Sequence, residues 1–129
     1  MNNSASFATV LAVAAGGAVG SVARYLTAVA LAPFTTAFPW ATLVVNVIGA
    51  FLIGVFARFF GATDADPVLR LALTTGLCGG FTTFSAMSAE VVTFVQQGRM
   101  GRAALYVMMS LVLGFGATAL GLLVARPRP

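Results

Sequence analysis

Arg24, Thr42, Asn46, Ser85, Tyr106 and Ser110 are hydrogen-bond donors set inside or beside long apolar stretches, and each could offer a proton to an anion. None is placed for bond-making chemistry. The chain has no histidine and no lysine, so nothing stands ready to activate Ser85 as a nucleophile. The acids are Asp64, Asp66 and Glu90, and they form no carboxylate pair for acid–base work. The single Cys78 can form neither an intrachain disulfide nor a thiolate cluster, and it reads as a small buried hydrophobe. The chain is therefore not expected to be an enzyme.

Arg24 lies about two turns from the end of the first apolar run. A cation there costs a few kcal/mol unless it meets water or a partner. It either snorkels to the interface or stands as a positive charge at the mouth of an anion pathway. Apart from Glu90 at the end of a run, no carboxylate offers itself as a fixed partner, which favours a mobile anion. Asn46 sits near the centre of WATLVVNVIGAFLIG. Its amide must hydrogen-bond to another helix or to something passing. Thr42 lies four residues earlier on the same helical face, and Tyr106 and Ser110 are likewise one turn apart.

The stretch CGGFTTFSAMSAE, residues 78–90, interrupts an apolar run with glycine and hydroxyl groups. Gly76, Gly79 and Gly80 are poor helix formers. Thr82, Thr83 and Ser85 can bond to the backbone in competition with the helix. A break at 79–83 follows. Exposed backbone at membrane depth survives only where protein buries it or it lines a cavity, and freed carbonyls can then coordinate a cation. Phe81, Phe84 and Met87 could simply pack, but the positive edge of a phenylalanine ring can also face an anion.

The elements that position these groups follow from length and charge. Of 129 residues, 60% are hydrophobic and 8% charged, whereas soluble domains are roughly a quarter charged. Four runs, 7–31, 40–57, 71–89 and 103–125, each approach or exceed the ~20 apolar residues that cross a bilayer. The predicted helices are 6–32, 39–60, 67–97 with the break near 79–83, and 101–125, in a single all-α membrane domain. They are apolar all round, unlike the helices of a soluble bundle. The net charge of +4 is spread thinly, with no basic cluster for nucleic acid. The first residues, MNNSASF, carry no basic side chain, so a signal peptide is not expected.

Four spans put Arg58, Arg70, Arg126 and Arg128 on one side and Arg99 and Arg102 on the other. That bias is weak under the positive-inside rule. Either the N-terminus is cytoplasmic, or the chain inserts both ways and pairs antiparallel with itself. Small residues recur in every span: Gly16, Gly17 and Gly20; Gly49 and Gly54; Gly76 and Gly80; Gly114 and Gly121. They allow close helix approach within one chain or across a dimer.

These motifs together resemble the small bacterial fluoride channels, the CrcB or Fluc family. GGAVGSVARY (16–25) resembles the family's first-helix motif and TLVVNVIGAFLIG (42–54) its second-helix asparagine motif. GLCGGFTTFSAMSAE (76–90) resembles its broken third helix, and Tyr106 and Ser110 follow at the family's spacing. The resemblance implies an antiparallel, dual-topology dimer in the bacterial plasma membrane, with four helices per subunit and two narrow fluoride pores. It implies a central sodium ion held by backbone carbonyls, here those of Gly79 and Thr82. Asn46 would be a pore donor, Phe84 and Met87 would stand at the pore, and Arg24 would line the vestibule. Thr42, Ser85, Tyr106 and Ser110 would form a polar track. Two positions depart from the family, which has phenylalanine where this chain has Met87 and threonine where it has Ala86. Some members pair unlike subunits with one degraded pore each, so Met87 leaves a heterodimer open beside the homodimer.

A proton-coupled small multidrug transporter is the main alternative. It needs a membrane-embedded carboxylate, for which Glu90 is the one candidate. A non-transporting packing subunit is the third reading.

Overall fold

The computed structural model describes residues 6–125, all helices and short connections, with no strand among the described residues. Arg126 and Arg128, counted in the charge balance above, lie outside them. Helix α1 spans Phe7–Leu31 and is capped by Ser6, whose side chain accepts from the Thr9 N–H. Pro33 turns the chain through a 3-10 segment, Ala32–Phe34, toward α2, Trp40–Gly61. The path from 67 to 97 is composite. α3 (Pro67–Leu71) starts on an Asp66 cap, continues as a π-helical segment (Ala72–Cys78), and ends as α4 (Gly79–Phe81). Thr82 and Thr83 are extended. α5 then runs Phe84–Gln96 and α6 runs Met100–Val124. Three helical stretches, Phe7–Phe34, Trp40–Gly61 and Met100–Val124, are long and apolar enough to cross a membrane.

The turn between α5 and α6 shows why glycine stands at 98. The Arg99 N–H reaches Phe94 O and the Gly98 N–H reaches Val95 O, which closes the last turn of α5. That closure needs a left-handed residue, and Gly98 has φ 71.

Packing divides the bundle in two. Helix α1 lies against the π-helical segment and α4, whereas α2 lies along α6. After the extended pair, α5 joins α6 and α2. The third path therefore changes partner at Thr82 and Thr83. Glycine sets both seams. A Cβ at Gly20 would collide with the Leu77 carbonyl, and one at Gly54 with the Thr118 carbonyl. Gly114 does not join Gly121 in this packing, because its open side meets nothing within 4 Å.

The buried core is small and lies where α2, α5 and α6 meet. Leu43, Phe94, Ala103 and Tyr106 form it, and Met87 packs against it. Tyr106 is fully buried at 0% exposure, with the Phe38 ring edge-on at 5.4 Å. Arg102 fastens the connection before α2, its Nη1 donating to Ala37 O at 2.8 Å.

Candidate functional site

Two extended residues inside an apolar bundle create backbone groups that need partners. Their partners identify the site. The Thr83 N–H would close a helical bond to Gly79 O, but it donates instead to Asn46 Oδ1 at 2.8 Å. Asn46 Nδ2 donates back to Thr83 O at 3.1 Å. One amide from the first half of α2 thus takes the Thr83 N–H that the break deprives of its helical acceptor, and adds a donor to Thr83 O. Thr83 also starts α5, its Oγ1 accepting from the Ala86 N–H at 3.1 Å. Ser85 Oγ lies 3.1 Å from that same hydroxyl.

On the other side of the break, Gly80 O would accept from Phe84 in a continuous helix. Arg24 Nε donates to it at 3.1 Å, and Ser21 Oγ lies at 3.5 Å. The intramembrane cation therefore has a fixed partner, a carbonyl freed by the break. Thr82 is bound locally, with both its N–H and its hydroxyl donating to Cys78 O at 2.9 Å.

A cavity of about 430 Å³ opens beside the break. Asn46, Gly79, Thr82, Thr83, Phe84 and Met87 line it, together with Thr118 of α6. Gly79 faces open space, with nothing within 4 Å of where a Cβ would stand. Phe84 is 80% exposed at the rim. Thr118 Oγ1 is bound to Ala50 O at 3.0 Å.

A second cluster lies in the core. Thr42 Oγ1 donates to Glu90 Oε1 and Tyr106 OH to Glu90 Oε2, each at 2.6 Å. One carboxylate of α5 thereby ties α2 to α6. Glu90 also borders a second cavity of about 340 Å³, lined by Thr35, Thr36, Thr93, Gln97 and Arg99. Ser110 Oγ is buried without a hydrogen-bond partner. A hydroxyl in that state is costly to keep unless something comes to meet it.

A family model described as CrcB-like protein, Camphor Resistance (CrcB), matches residues 11–122. The chain belongs to the CrcB-like family. Three relatives from Escherichia coli K12, Escherichia coli O17:K52:H18 and Shigella boydii serotype 18 are each named "Fluoride-specific ion channel FluC". Each is 51% identical to this chain over 111 residues, covering 85% of this chain and 87% of the relative. With its apolar helices, this CrcB-like chain is a multi-pass membrane protein.

Nine of the ten residues singled out by sequence fall into connected groups in this CrcB-like chain, and Ser110 is left without a hydrogen-bond partner. Asn46, Gly79, Thr82, Phe84 and Met87 line one cavity. Ser85 touches its Thr83, and Arg24 holds the arm above the break. Thr42 and Tyr106 meet at Glu90. Sequence reasoning missed three partners: Ser21, Thr83 as the residue Asn46 clasps, and Glu90 as the link between two hydroxyls. Thr83 was discernible as a threonine cap just before a helical run. Glu90 was discernible as a lone acid bordering an apolar run.

Proposed function

We propose that this chain is a subunit of a fluoride-selective passive channel that exports cytoplasmic fluoride across the bacterial plasma membrane. The 51% identity to relatives named as fluoride-specific ion channels carries the assignment. The local geometry supports it. Donors without a base, grouped around a cavity in an apolar bundle, can bind and release an anion but cannot transform it. Fluoride is small and holds its water tightly. A pore must replace that shell with several donors and ring edges at close range, and a narrow bore then excludes chloride. Asn46, Phe84, Met87 and Ser85 stand near the break; Thr42, Tyr106 and the unpartnered Ser110 continue as a polar track. Hydrogen fluoride enters cells as a neutral acid and dissociates inside. The trapped anion leaves down its own gradient and an inside-negative potential.

The working unit in this proposal is an antiparallel, dual-topology homodimer, each subunit crossing four times with the third helix broken at Thr82 and Thr83. The break cavity, lined by a Phe84 ring that is largely exposed, supports a second copy there. Gly79 and Thr82 would hold a sodium ion through their carbonyls. The residues fit this role: Gly79 O lacks its helical donor, and no side chain fills the space beside Gly79. A bound cation would supply positive charge and fix the relative placement of the two breaks.

The decisive experiment is fluoride efflux from liposomes holding only this purified protein. A fluoride electrode reads release after the membrane potential is shunted, with chloride-loaded vesicles as control. Fast fluoride loss without chloride loss is expected. Folded protein that releases no fluoride alone or with a co-expressed second subunit would sink the proposal, and release only with that partner would replace the homodimer by a heterodimer.

Met87 provides a graded test. It lines the break cavity and packs against the Tyr106 cluster. Met87→Phe would restore a ring edge at a site already shaped by a long apolar side chain. Efflux is expected to rise about two- to tenfold, the rate equivalent of ~0.5–1.5 kcal/mol for a ring-edge contact. An unchanged or slower rate in folded protein would remove Met87 from the pore.

A further inference from the structure

The contact between α1 and the broken arm is built on a single helical face. A Cβ at Gly80 would come within 2.5 Å of Gly17 O and 3.0 Å of Gly17 Cα, so the two backbones touch there. One and two turns further along α1 stand Ser21 and Arg24, the residues whose side chains meet Gly80 O. Glycine thus brings the arm in, and the next two turns present the donors. Only Nε of Arg24 is used in that bond. The arm ends in free carbonyls that carry partial negative charge, and a cation at a helix C-terminus stabilises it.

We propose that Arg24 is a positioning residue. It caps the broken arm from the neighbouring helix, ties up Gly80 O, and so leaves Gly79 and Thr82 as the carbonyls that face the cavity. This goes beyond a charge lining a vestibule, because the essential group is the N–H at the Nε position. The two roles separate by substitution. In Arg24→Gln the side-chain amide nitrogen falls where Nε stands, so the cap is kept and the charge is lost. Arg24→Lys keeps the charge and carries its donor one bond further out. Arg24→Met loses both.

Two readouts apply to the full chain in liposomes. The first is the rate at which Cys78 reacts with a maleimide. Cys78 is the only cysteine, is buried, and lines the break cavity one residue before Gly79. The second is the sodium concentration that gives half-maximal fluoride efflux, with N-methylglucamine as the replacement cation. This second readout rests on the channel proposal above. For Arg24→Gln, Cys78 labelling and the sodium midpoint are expected to stay within about twofold of the parent while the absolute fluoride rate falls. For Arg24→Met, labelling is expected to quicken and the sodium midpoint to rise, each about tenfold, equivalent to ~1.4 kcal/mol. Arg24→Lys is expected to fall between them.

Equal labelling of the Gln and Met variants would overturn the cap. So would Lys matching the parent while Gln does not, the order that a pure charge role requires. If Arg24→Met yields no folded protein, the order of Lys and Gln decides alone. If efflux by the parent chain is indifferent to sodium, the sodium proposal falls, and the labelling order still decides the role of Arg24.

Discussion

Asn46→Leu is expected to abolish fluoride efflux and to lower the thermal stability of the purified protein at the same time. The coupling of these two losses is the informative part. A residue that only donates to a passing anion could be replaced by leucine with conduction lost and stability kept. Asn46 does more, because its amide holds both the N–H and the C=O of Thr83. Removing it leaves the Thr83 N–H bare and takes a donor from Thr83 O. An unsatisfied buried group costs ~1–3 kcal/mol, whereas a single side-chain bond within a membrane protein averages only ~0.6 kcal/mol. The backbone figure governs here, since the Thr83 N–H has no helical acceptor to fall back on, and a loss of about 1–3 kcal/mol follows.

Asn46→Asp sharpens the test. It keeps size and the acceptor for the Thr83 N–H, but it sets an oxygen against Thr83 O where a donor stood. It should resemble leucine rather than asparagine in both assays. A folded Asn46→Leu protein with unchanged melting temperature would refute the clasp and leave only the donor role. Efflux within twofold of the parent would remove Asn46 from the pathway as well.

The sequence made Asn46 and Arg24 conspicuous for the same reason: each is expensive in an apolar run. It did not reveal their partners. A sequence can suggest only a carboxylate or an anion as the partner of Arg24. The partner is the Gly80 carbonyl, which every residue possesses and which becomes available only where the helix stops. The stop was legible in the run of glycines and hydroxyls from 76 to 85. Its consequence, a carbonyl at 80 turned over to α1 and an amide at 83 turned over to α2, depends on which helices flank the break. The π-helical segment before it left no trace that composition or periodicity would register. Gly114 shows the converse case within one chain. Spacing pairs it with Gly121, but in the fold only Gly121 meets a neighbouring backbone, that of Phe51 on α2.

Glu90 was the residue with no account in the sequence, and its partners stand 48 residues before it and 16 after. No local pattern could join them. Packed together, they predict that Tyr106→Phe and Glu90→Gln each lower stability, and that their effects are not additive. Two hydroxyls donate to one carboxylate at 2.6 Å in a part-buried setting. Charge-assisted bonds of this kind are worth ~1.5–3 kcal/mol each. In the double variant part of that loss has already occurred, so a coupling of about 1–2 kcal/mol is expected in a double-mutant cycle. Independent effects would mean that Tyr106 and Glu90 do not work as a pair.

The same acid separates the channel from a proton-coupled transporter. An exchanger needs its carboxylate to take and give up protons while cargo binds. Here both oxygens are occupied by hydroxyls from two other helices, an arrangement suited to holding the bundle together. Glu90→Gln keeps one acceptor oxygen and weakens the tie without cutting it. Efflux is therefore expected to fall by no more than about tenfold, the ~1.4 kcal/mol between a charged and a neutral acceptor. Phe84→Ile, which removes the exposed ring at the break, is expected to abolish efflux while the protein stays folded. The reverse pattern, transport lost with Glu90→Gln and intact with Phe84→Ile, would assign the chain to proton-coupled exchange and leave the break as mere architecture.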